Sequence, residues 1–254
     1  MISLEGQVAI ITGGAQGIGE GICKVFCDAG ATVALWDVRD SGEETAAKIK
    51  ADGGKIFFQK VDITDRDAVE TAVSKIISTY KKIDILINNA ALYAGLRGAR
   101  FENLDEQQWD QVMQVNIKGT WLISRAVVDH MRGSGGGSII NIASLAAVFG
   151  LPYGLDYVAS KAAVIGMTRG MARELGPDHI RVNAVAPSAV MTEGTEEFFG
   201  EKFEKAKSVI ASNQLIPRNL ETEDLTGTIV YLASDASRFV TGQTHMVDGG
   251  SWFL

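Results

Sequence analysis

The chain has 254 residues, of which 46% are apolar and 22% charged, and its formal net charge is −7. This composition is typical of a globular protein, and the length suits one large α/β domain. The acidic balance argues against nucleic acid or an anionic membrane as a partner, and no apolar run is long enough to predict a membrane span.

Strand-like and helix-like segments alternate along the chain. Apolar runs rich in β-branched residues predict strands at 7–12, 32–36, 55–60, 84–88, 138–143, 180–185 and 244–247. Apolar residues at helical spacing predict helices at 17–29, 41–51, 65–80, 107–131, 157–175 and 223–233. Strands that are apolar almost throughout are buried on both faces. We therefore predict an α/β fold, a Rossmann-like doubly wound parallel sheet of about seven strands with helices on both faces, formed as one domain by residues 1–254.

The first residues and the cysteines bear on location and on metal binding. The stretch 1–5 lacks the basic segment and apolar run of a secretory signal peptide. Cys23 and Cys27, the two cysteines of the chain, are one helical turn apart with no other metal ligands nearby in sequence. We expect a reduced cytoplasmic protein with core-facing cysteines and no metal site.

A glycine-rich turn follows the first predicted strand. Gly13, Gly17 and Gly19 give the spacing G-x-x-x-G-x-G, which departs from the commoner dinucleotide pattern G-x-G-x-x-G. Glycines let the backbone turn sharply and approach a pyrophosphate, whose charge then meets the amides at the start of the next helix. The turn alone leaves two interpretations open, a dinucleotide site and a plain glycine-rich turn.

Acidic residues after the next two strands favour the dinucleotide site. Asp37 follows the second strand, where a carboxylate can accept hydrogen bonds from the adenosine ribose and repel a 2′-phosphate. Arg39 could favour that phosphate, but Gln16 stands before Gly17 and the turn supplies no second basic residue. We therefore predict NAD rather than NADP. Asp62, after the third strand, suits the adenine amino group, and a turn-capping role is the alternative.

Three later residues could move a proton to or from an alcohol oxygen. Tyr157 and Lys161 are four residues apart on one helix face, and Ser144 lies thirteen residues before the tyrosine. A free phenol has a pKa of about 10, and a neighbouring ammonium would lower it toward neutrality. Ser144 could hold the substrate oxygen. Each residue singly has an ordinary packing or surface explanation, but the combination predicts nicotinamide-dependent alcohol oxidation or carbonyl reduction.

From about residue 6 to residue 250 the chain resembles the short-chain dehydrogenase/reductase family. The matching residues are Thr12-Gly13-x-x-x-Gly17-x-Gly19, Asp62, Asn88-Asn89-Ala90, Asn116, Ser144, Tyr157-x-x-x-Lys161 and Asp248-Gly249-Gly250. The resemblance implies that Tyr157 transfers the proton and that Ser144 binds the substrate oxygen. It also implies that Lys161 lowers the tyrosine pKa and binds the nicotinamide ribose. Asn116 would hold a water linking Lys161 to bulk solvent, although helix-interior polarity is an alternative explanation for it.

The same resemblance implies a set of cofactor-binding residues along the strand ends. They are Gly13, Gln16, Gly17, Ile18, Gly19, Asp37, Asp62, Ile63, Asn89, Ala90, Tyr157, Lys161, Pro187, Val190 and Thr192. Two positions depart from the family. Ala91 stands where glycine often closes Asn-Asn-Ala-Gly, and Ser188 follows Pro187 where Pro-Gly is common. A positive φ at either position would cost about 1 kcal/mol.

Substrate contacts are expected in the stretches 92–98, 145–153 and 188–213. We predict that the pocket is lined by Leu92, Tyr93, Leu145, Ala146, Tyr153, Ser188 and Phe198. The stretch 188–213 carries phenylalanines among charges, as an amphipathic lid helix would, and a plain surface helix is the alternative. These side chains suit an apolar or aromatic secondary alcohol and its ketone.

The leading prediction is an NAD-dependent secondary-alcohol dehydrogenase that acts on a small molecule and, on the resemblance alone, forms a homotetramer. The alternatives within this class are an NADPH-linked reductase of 3-oxoacyl or other carbonyl compounds and a sugar or polyol dehydrogenase. The alternative outside it is a non-catalytic NAD-sensing scaffold, which would tolerate loss of the serine, tyrosine and lysine that this chain retains.

Overall fold

The computed structural model describes residues 2–253, which contain a seven-stranded sheet. Met1 and Leu254, the ends of the predicted domain, lie outside the described residues. The strands are β1 Val8–Thr12, β2 Thr32–Asp37, β3 Lys55–Lys60, β4 Ile85–Asn88, β5 Gly137–Ile142, β6 Ile180–Pro187 and β7 Thr244–Val247. Their order in the sheet is β3-β2-β1-β4-β5-β6-β7, and every neighbouring pair is parallel. The predicted Rossmann-like single domain is confirmed.

Helices cover both faces of the sheet. They are α1 Gly17–Asp28, α2 Gly42–Ala51, α3 Arg66–Tyr80, α4 Glu106–Met113, α5 Thr120–Gly133, α6 Ala146–Phe149, α7 Leu155–Leu175, α8 Glu193–Phe199, α9 Phe203–Ser212 and α10 Thr222–Ala233. Helices α1, α2 and α10 contribute to the apolar cluster on one face, and α3, α5 and α7 contribute to the cluster on the other. This layering is that of a doubly wound fold. Of the helices within residues 2–253, none is both long and apolar enough to cross a membrane.

Burial differs between the centre and the edges of the sheet. Every residue of β1 and β4 is buried, whereas β3 and β7 are mostly half-buried or exposed. The two partly exposed strands are the edge strands, and each has a neighbour on one side only. The prediction that the strands are buried on both faces therefore holds at the centre of the sheet and fails at its edges.

The strand order opens a crevice at one end of the sheet. β1 and β4 are neighbours, and the strands that follow them along the chain extend the sheet in opposite directions. A crevice forms outside the carboxyl ends of the strands at such a switch point. Asp37, Asn88 and Pro187 end their strands on this side. Residues far apart in the sequence therefore meet at one edge.

Two predicted helices differ from the observed ones. The helix predicted over 107–131 consists of α4 and α5 joined by a π-helical segment, Gln114–Gly119. A Cβ on Gly119 would lie 2.7 Å from the Ile63 side chain, so glycine permits close packing there. The predicted lid helix is two helices, α8 and α9, separated by a turn at Gly200, whose φ is +52°. Glycine adopts a positive φ without the steric cost that a side chain would add, and the first helix ends there.

Candidate active site

A cleft of about 910 Å³ runs along the carboxyl ends of the strands. Every residue predicted to bind a cofactor lines it, as does Ser144. The predicted substrate residues Leu92, Tyr93, Leu145, Ala146, Ser188 and Phe198 also line it. Asn116 and Tyr153 lie outside the lining. The fold thus brings nearly all of the predicted site residues into one cleft.

The turn between β1 and α1 requires glycine for backbone reasons. Gly13 and Gly17 have φ values of +65° and +56°, which side chains disfavour. A Cβ on Gly19 would lie 1.9 Å from the Gly13 carbonyl oxygen. The start of the helix is therefore in direct contact with the turn.

Side chains from β1 and the end of β4 hold this turn in place. The Thr12 hydroxyl accepts hydrogen bonds from the amides of Asn89 and Ala90, at 3.1 and 3.0 Å. The Asn89 side-chain amide donates to the carbonyls of Thr12 and Gly13, at 3.0 and 3.1 Å. These bonds fix one wall of the cleft.

The start of α1 fits an anionic group. Gln16 precedes the helix and makes no side-chain capping hydrogen bond. Gly17, Ile18 and Gly19, the first residues of the helix, line the cleft. Uncapped helix amides and the positive end of the helix dipole suit the pyrophosphate of a dinucleotide.

Asp37 presents a carboxylate at the end of β2. One oxygen accepts from the Ala15 amide at 3.1 Å, and the other accepts from the Arg39 amide at 3.0 Å. A carboxylate has about four lone-pair positions, so both oxygens can accept a further hydrogen bond from a ribose hydroxyl. The Arg39 guanidinium donates to the side-chain oxygen of Gln16, which places the arginine across the mouth of the glycine turn.

Asp62 has a different arrangement after β3. One of its oxygens accepts hydrogen bonds from the amide and the hydroxyl of Thr64, at 2.8 and 2.7 Å. The turn-capping role considered from the sequence is therefore present. Asp62 also lines the cleft, so a contact with adenine is compatible with this geometry.

Ser144, Tyr157 and Lys161 come together where β5 meets α7. Tyr157 and Lys161 are 9% and 4% exposed, and the lysine nitrogen lies 5.8 Å from the centre of the tyrosine ring. The lysine donates to the Ile142 carbonyl at the end of β5, at 2.7 Å. The Ser144 hydroxyl lies near enough to the phenol to lower its pKa. A hydroxyl, a phenol and an amine thus share one buried corner that can bind an alcohol oxygen and exchange its proton.

Burial controls the protonation of this corner. It raises the pKa of the Tyr157 phenol well above the usual value; Tyr93 raises it further and the Ser144 hydrogen bond lowers it. Burial also lowers the pKa of Lys161 to about 8. Burial is thus the largest influence on the pKa of both groups, and the expected lowering of the tyrosine pKa by Lys161 stays a prediction.

Asn116 lies in the π-helical segment and is buried. Its side-chain oxygen accepts from the Leu92 amide at 2.7 Å, and its nitrogen donates to the Leu92 carbonyl at 3.2 Å and to the Ser160 hydroxyl at 3.0 Å. The side chain thus ties the loop after β4 to α7. Its partners are these groups rather than Lys161, and a part in proton exit stays a prediction.

Aromatic side chains form the substrate end of the cleft. Tyr93 lies between the catalytic corner and α8, with its ring centre 5.1 Å from that of Tyr157 and 4.6 Å from that of Phe198. Phe149 and Phe199 extend this apolar lining. Tyr153 lies outside the lining of the cleft, is 64% exposed and has a φ of +67°, so its contact with substrate stays a prediction.

Several lining residues were not predicted from the sequence. They include Val115 and Ser251, whereas Thr195, Ile210 and Asn213 fall within the predicted stretch 188–213 without having been singled out there. Ser251 directly follows the Asp248-Gly249-Gly250 motif, so that motif was a usable signal. The others belong to helices or helix ends where no local pattern distinguishes a cleft-facing residue from a core-facing one.

The two departures from the family pattern are accommodated without strain. Neither Ala91 nor Ser188 has a positive φ. The Ser188 hydroxyl donates to the side-chain oxygen of Gln214 at 2.9 Å, and both residues are buried. The serine therefore joins the end of β6 to the segment that follows α9.

The cysteines are unpaired, with Cys23 buried and Cys27 partly buried. Burial raises the pKa of both thiols, that of Cys27 to about 11, as expected of packing residues rather than reactive thiolates. Within residues 2–253, no three His, Cys, Asp or Glu side chains are grouped so as to hold a metal ion.

The fold and this site define an oxidoreductase that uses a nicotinamide dinucleotide. The profile of a family described as enoyl-(acyl carrier protein) reductase matches residues 13–251. The chain belongs to the short-chain dehydrogenase/reductase family.

Relatives from this family are named for different substrates. The chain is 39% identical over 249 residues to the 3-oxoacyl-acyl-carrier-protein reductase FabG of Thermotoga maritima, covering 97% of this chain and 98% of the relative. It is 36% identical over 249 residues to the NAD-dependent glycerol dehydrogenase of Listeria innocua, covering 98% and 94%. A crystal structure of an NAD(P)-dependent gluconate 5-dehydrogenase from Beutenbergia cavernae, with NADP at low occupancy, has a TM-score of 0.91 at 33% identity and covers 98% of both chains. The family is thus established, and the names of these relatives do not agree on one substrate.

Proposed function

We propose that the protein is an NAD-dependent dehydrogenase of an apolar or aromatic secondary alcohol, and the reductase of the corresponding ketone. The observation that carries the reaction class is the buried corner formed by Ser144, Tyr157 and Lys161 beside a dinucleotide cleft. Its three groups match the needs of proton exchange at an alcohol oxygen.

The roles of the residues follow from this geometry. Ser144 and Tyr157 would bind the substrate oxygen with their hydroxyls, and Tyr157 would take the alcohol proton during oxidation or return it during reduction. Lys161, held by the Ile142 carbonyl, would bind the nicotinamide ribose and lower the cost of a phenolate. Bound NAD would supply the hydride acceptor. Asn116 would position the loop that carries Leu92 and Tyr93.

Asp37 supports NAD over NADP. Its carboxylate lines the cleft at the end of β2, where it would bind ribose hydroxyls and repel a 2′-phosphate. Arg39 favours NADP, because it lies beside Asp37 and could pair with a 2′-phosphate. Its hydrogen bond to Gln16 engages it with the turn instead.

The aromatic lining supports an apolar or aromatic substrate. Tyr93, Phe149, Phe198 and Phe199 face the cleft near the catalytic corner, and a polyol would leave its hydroxyls without partners against such a surface. The names of the relatives favour two alternatives, an NADPH-linked 3-oxoacyl reductase and a polyol or sugar dehydrogenase.

The proposal includes three further expectations. The segment 188–213, called here the lid segment, would close over the substrate, since α8 and α9 both contribute side chains to the cleft. The enzyme would act in the cytoplasm, which the two unpaired cysteines suit. It would form a homotetramer, for which Trp252 and Phe253, 41% and 75% exposed, offer apolar contact surface.

The test is NADH formation from a panel of apolar, aromatic, polyol, sugar and hydroxyacyl substrates, each with NAD and with NADP. We expect the largest kcat/KM with an apolar or aromatic secondary alcohol and NAD, and we expect Tyr157→Phe to abolish nearly all of this activity. Activity confined to polyols or sugars would leave the mechanism intact and contradict the substrate class. NAD binding without turnover of any substrate would favour the sensing scaffold.

A further inference from the structure

Tyr93 contacts both the catalytic tyrosine and the lid segment. Its ring is stacked on Phe198 of α8, with centres 4.6 Å apart and planes 15° apart. The same ring contacts Tyr157 of α7, with centres 5.1 Å apart and planes tilted by 42°. Phe198 is in turn in edge contact with Phe199 at 5.2 Å. A row of aromatic rings therefore runs from the catalytic phenol to the end of α8.

The hydroxyl of Tyr93 adds a second contact with α8. It lies close enough to Thr195 for that residue to lower its pKa, and Thr195 is three residues before Phe198, on the same face of the helix. Thr195 is itself held by a 2.7 Å hydrogen bond from its hydroxyl to the Val190 carbonyl. Tyr93 thus contacts two positions on α8 that are one helical turn apart.

The backbone beside Tyr93 is fastened to the catalytic helix. Asn116 binds both the amide and the carbonyl of the preceding residue, Leu92. Asn116 also donates to Ser160, which lies on α7 between Tyr157 and Lys161. The base of Tyr93 is therefore fixed to the catalytic helix, and its ring and hydroxyl extend to the lid segment.

We propose that Tyr93 is a positioning residue that couples the lid segment to the catalytic tyrosine. The position of α8 and the position of the Tyr157 ring then depend on each other. The contacts exist without substrate, so the coupling itself does not depend on the proposed function. Only its effect on catalysis rests on that function. Aromatic pairs prefer defined stacked or tilted geometries, so a shift of α8 changes the surface against which Tyr157 packs. Tyr93 would thereby make the placement of the phenol depend on closure of the lid segment.

The first experiment measures the lid segment without any substrate. Lys202, in the turn between α8 and α9, and Lys205, in the first turn of α9, are exposed cleavage sites for trypsin. We expect Tyr93→Leu to raise the rate of cleavage there about fivefold, as loss of aromatic contact would, and Tyr93→Phe to raise it less than twofold. Thermal unfolding of each variant checks that the fold is retained.

The decisive variants are at Tyr157, which belongs to α7 and not to the lid segment. Tyr157→Leu removes the ring on which Tyr93 packs and should raise the cleavage rate about threefold, whereas Tyr157→Phe keeps the ring and should leave it unchanged. In the Tyr93→Leu background, Tyr157→Leu should add nothing, which is the signature of coupled positions. Unchanged cleavage in Tyr157→Leu, or additive effects in the double variant, would overturn the proposal.

Kinetics then test the catalytic consequence. Tyr93→Leu should lower kcat about tenfold, whereas Gln214→Ala, which loosens the other end of the lid segment at Ser188, should mainly raise KM. If Tyr93→Leu and Gln214→Ala changed kcat by the same factor and KM by the same factor, Tyr93 would merely support the lid segment. That result would contradict the coupling. Absence of turnover in the wild type would refute the proposed function and leave the cleavage results to decide the coupling.

Discussion

The nucleotide end and the substrate end of the cleft are held in different ways. At the nucleotide end, the glycine turn is fixed by positive φ values and by hydrogen bonds among Thr12, Asn89 and the turn itself. At the substrate end, Tyr93 and Phe198 meet through ring contacts, and the segment that carries Phe198 is interrupted at Gly200. One wall is specified by backbone geometry and the other by side-chain packing.

This difference has a functional consequence. A backbone-defined wall suits a ligand that is the same throughout the family, because its amides and carbonyls do not depend on side-chain identity. A wall made of side chains on short helices can change with each substitution, which agrees with relatives that are named for 3-oxoacyl, glycerol and gluconate substrates. The following predictions test this division.

The largest effect is expected where the two ends meet. Tyr157→Phe should lower kcat by about 1000-fold, because general acid–base catalysis of this kind contributes roughly 100- to 10,000-fold. The affinity for NAD, measured by fluorescence titration, should change less than about twofold, since the ring and its packing remain. The matched control is Tyr153→Phe, at an exposed residue outside the cleft, which should leave kcat unchanged. A large loss of kcat in Tyr153→Phe would show that Tyr153 belongs to the substrate site.

A smaller but still large effect is expected in the glycine turn. Gly19→Ala would place a Cβ 1.9 Å from the Gly13 carbonyl, so the turn must shift and the affinity for NAD should fall about 100-fold. Gly166→Ala in α7 is the matched control, because nothing lies within 4 Å of the added Cβ. Calorimetric titration with NAD compares the two. Wild-type affinity in Gly19→Ala would show that the turn is not the pyrophosphate site.

A moderate effect is expected at the end of β2. Asp37→Asn should raise KM for NAD about tenfold and lower KM for NADP, because the charge that repels a 2′-phosphate is removed. Asp62→Asn should change both KM values less, since one oxygen of Asp62 already caps its own turn. The ratio of kcat/KM for the two cofactors measures this preference. An unchanged ratio in Asp37→Asn would contradict the proposed basis for NAD selection.

The smallest effect concerns stability and pH. Burial lowers the pKa of Lys161 to about 8 in the folded protein, so between about pH 8 and 10 the unfolded chain binds more protons at this lysine than the folded chain does. The lysine should therefore make the free energy of unfolding rise with pH in that range, by at most about 1.4 kcal/mol per pH unit.

Urea unfolding of the wild type and of Lys161→Met at several pH values isolates this contribution. The raised pKa values of Tyr157 and Cys23 act in the opposite direction above their unfolded values, and the difference between the two proteins cancels them. A difference that does not change with pH would show that Lys161 titrates normally.

The positions predicted most accurately from the sequence are those set by local backbone requirements. The glycine turn, the residues after each strand and the order of strands and helices follow from local requirements and periodicity. Asp37 is an example, because a position directly after a predicted strand fixes its place at the edge of the sheet. Roles assigned to these residues from the resemblance remain proposals.

The features that the sequence did not indicate lie where distant segments meet. Tyr153, two residues before α7, has a positive φ and is largely exposed, which its local sequence does not indicate. The side-chain partners of Asn116 are Leu92 and Ser160, which no local pattern indicates, and its expected link to Lys161 through a water stays a prediction. The predicted continuous helices are interrupted at the π-helical segment and at Gly200. In each case neighbouring elements select among conformations that the local sequence permits equally.

The family, the sheet and the dinucleotide turn could thus be inferred from the order of residues, because they depend on glycine positions, strand ends and apolar periodicity that the chain carries locally. Three features could not be inferred in this way: the pKa of Tyr157, the backbone conformation of Tyr153 and the aromatic row through Tyr93. They arise from desolvation and from contacts between loops, strands and helices that are far apart in the sequence, and these exist only once the chain has folded.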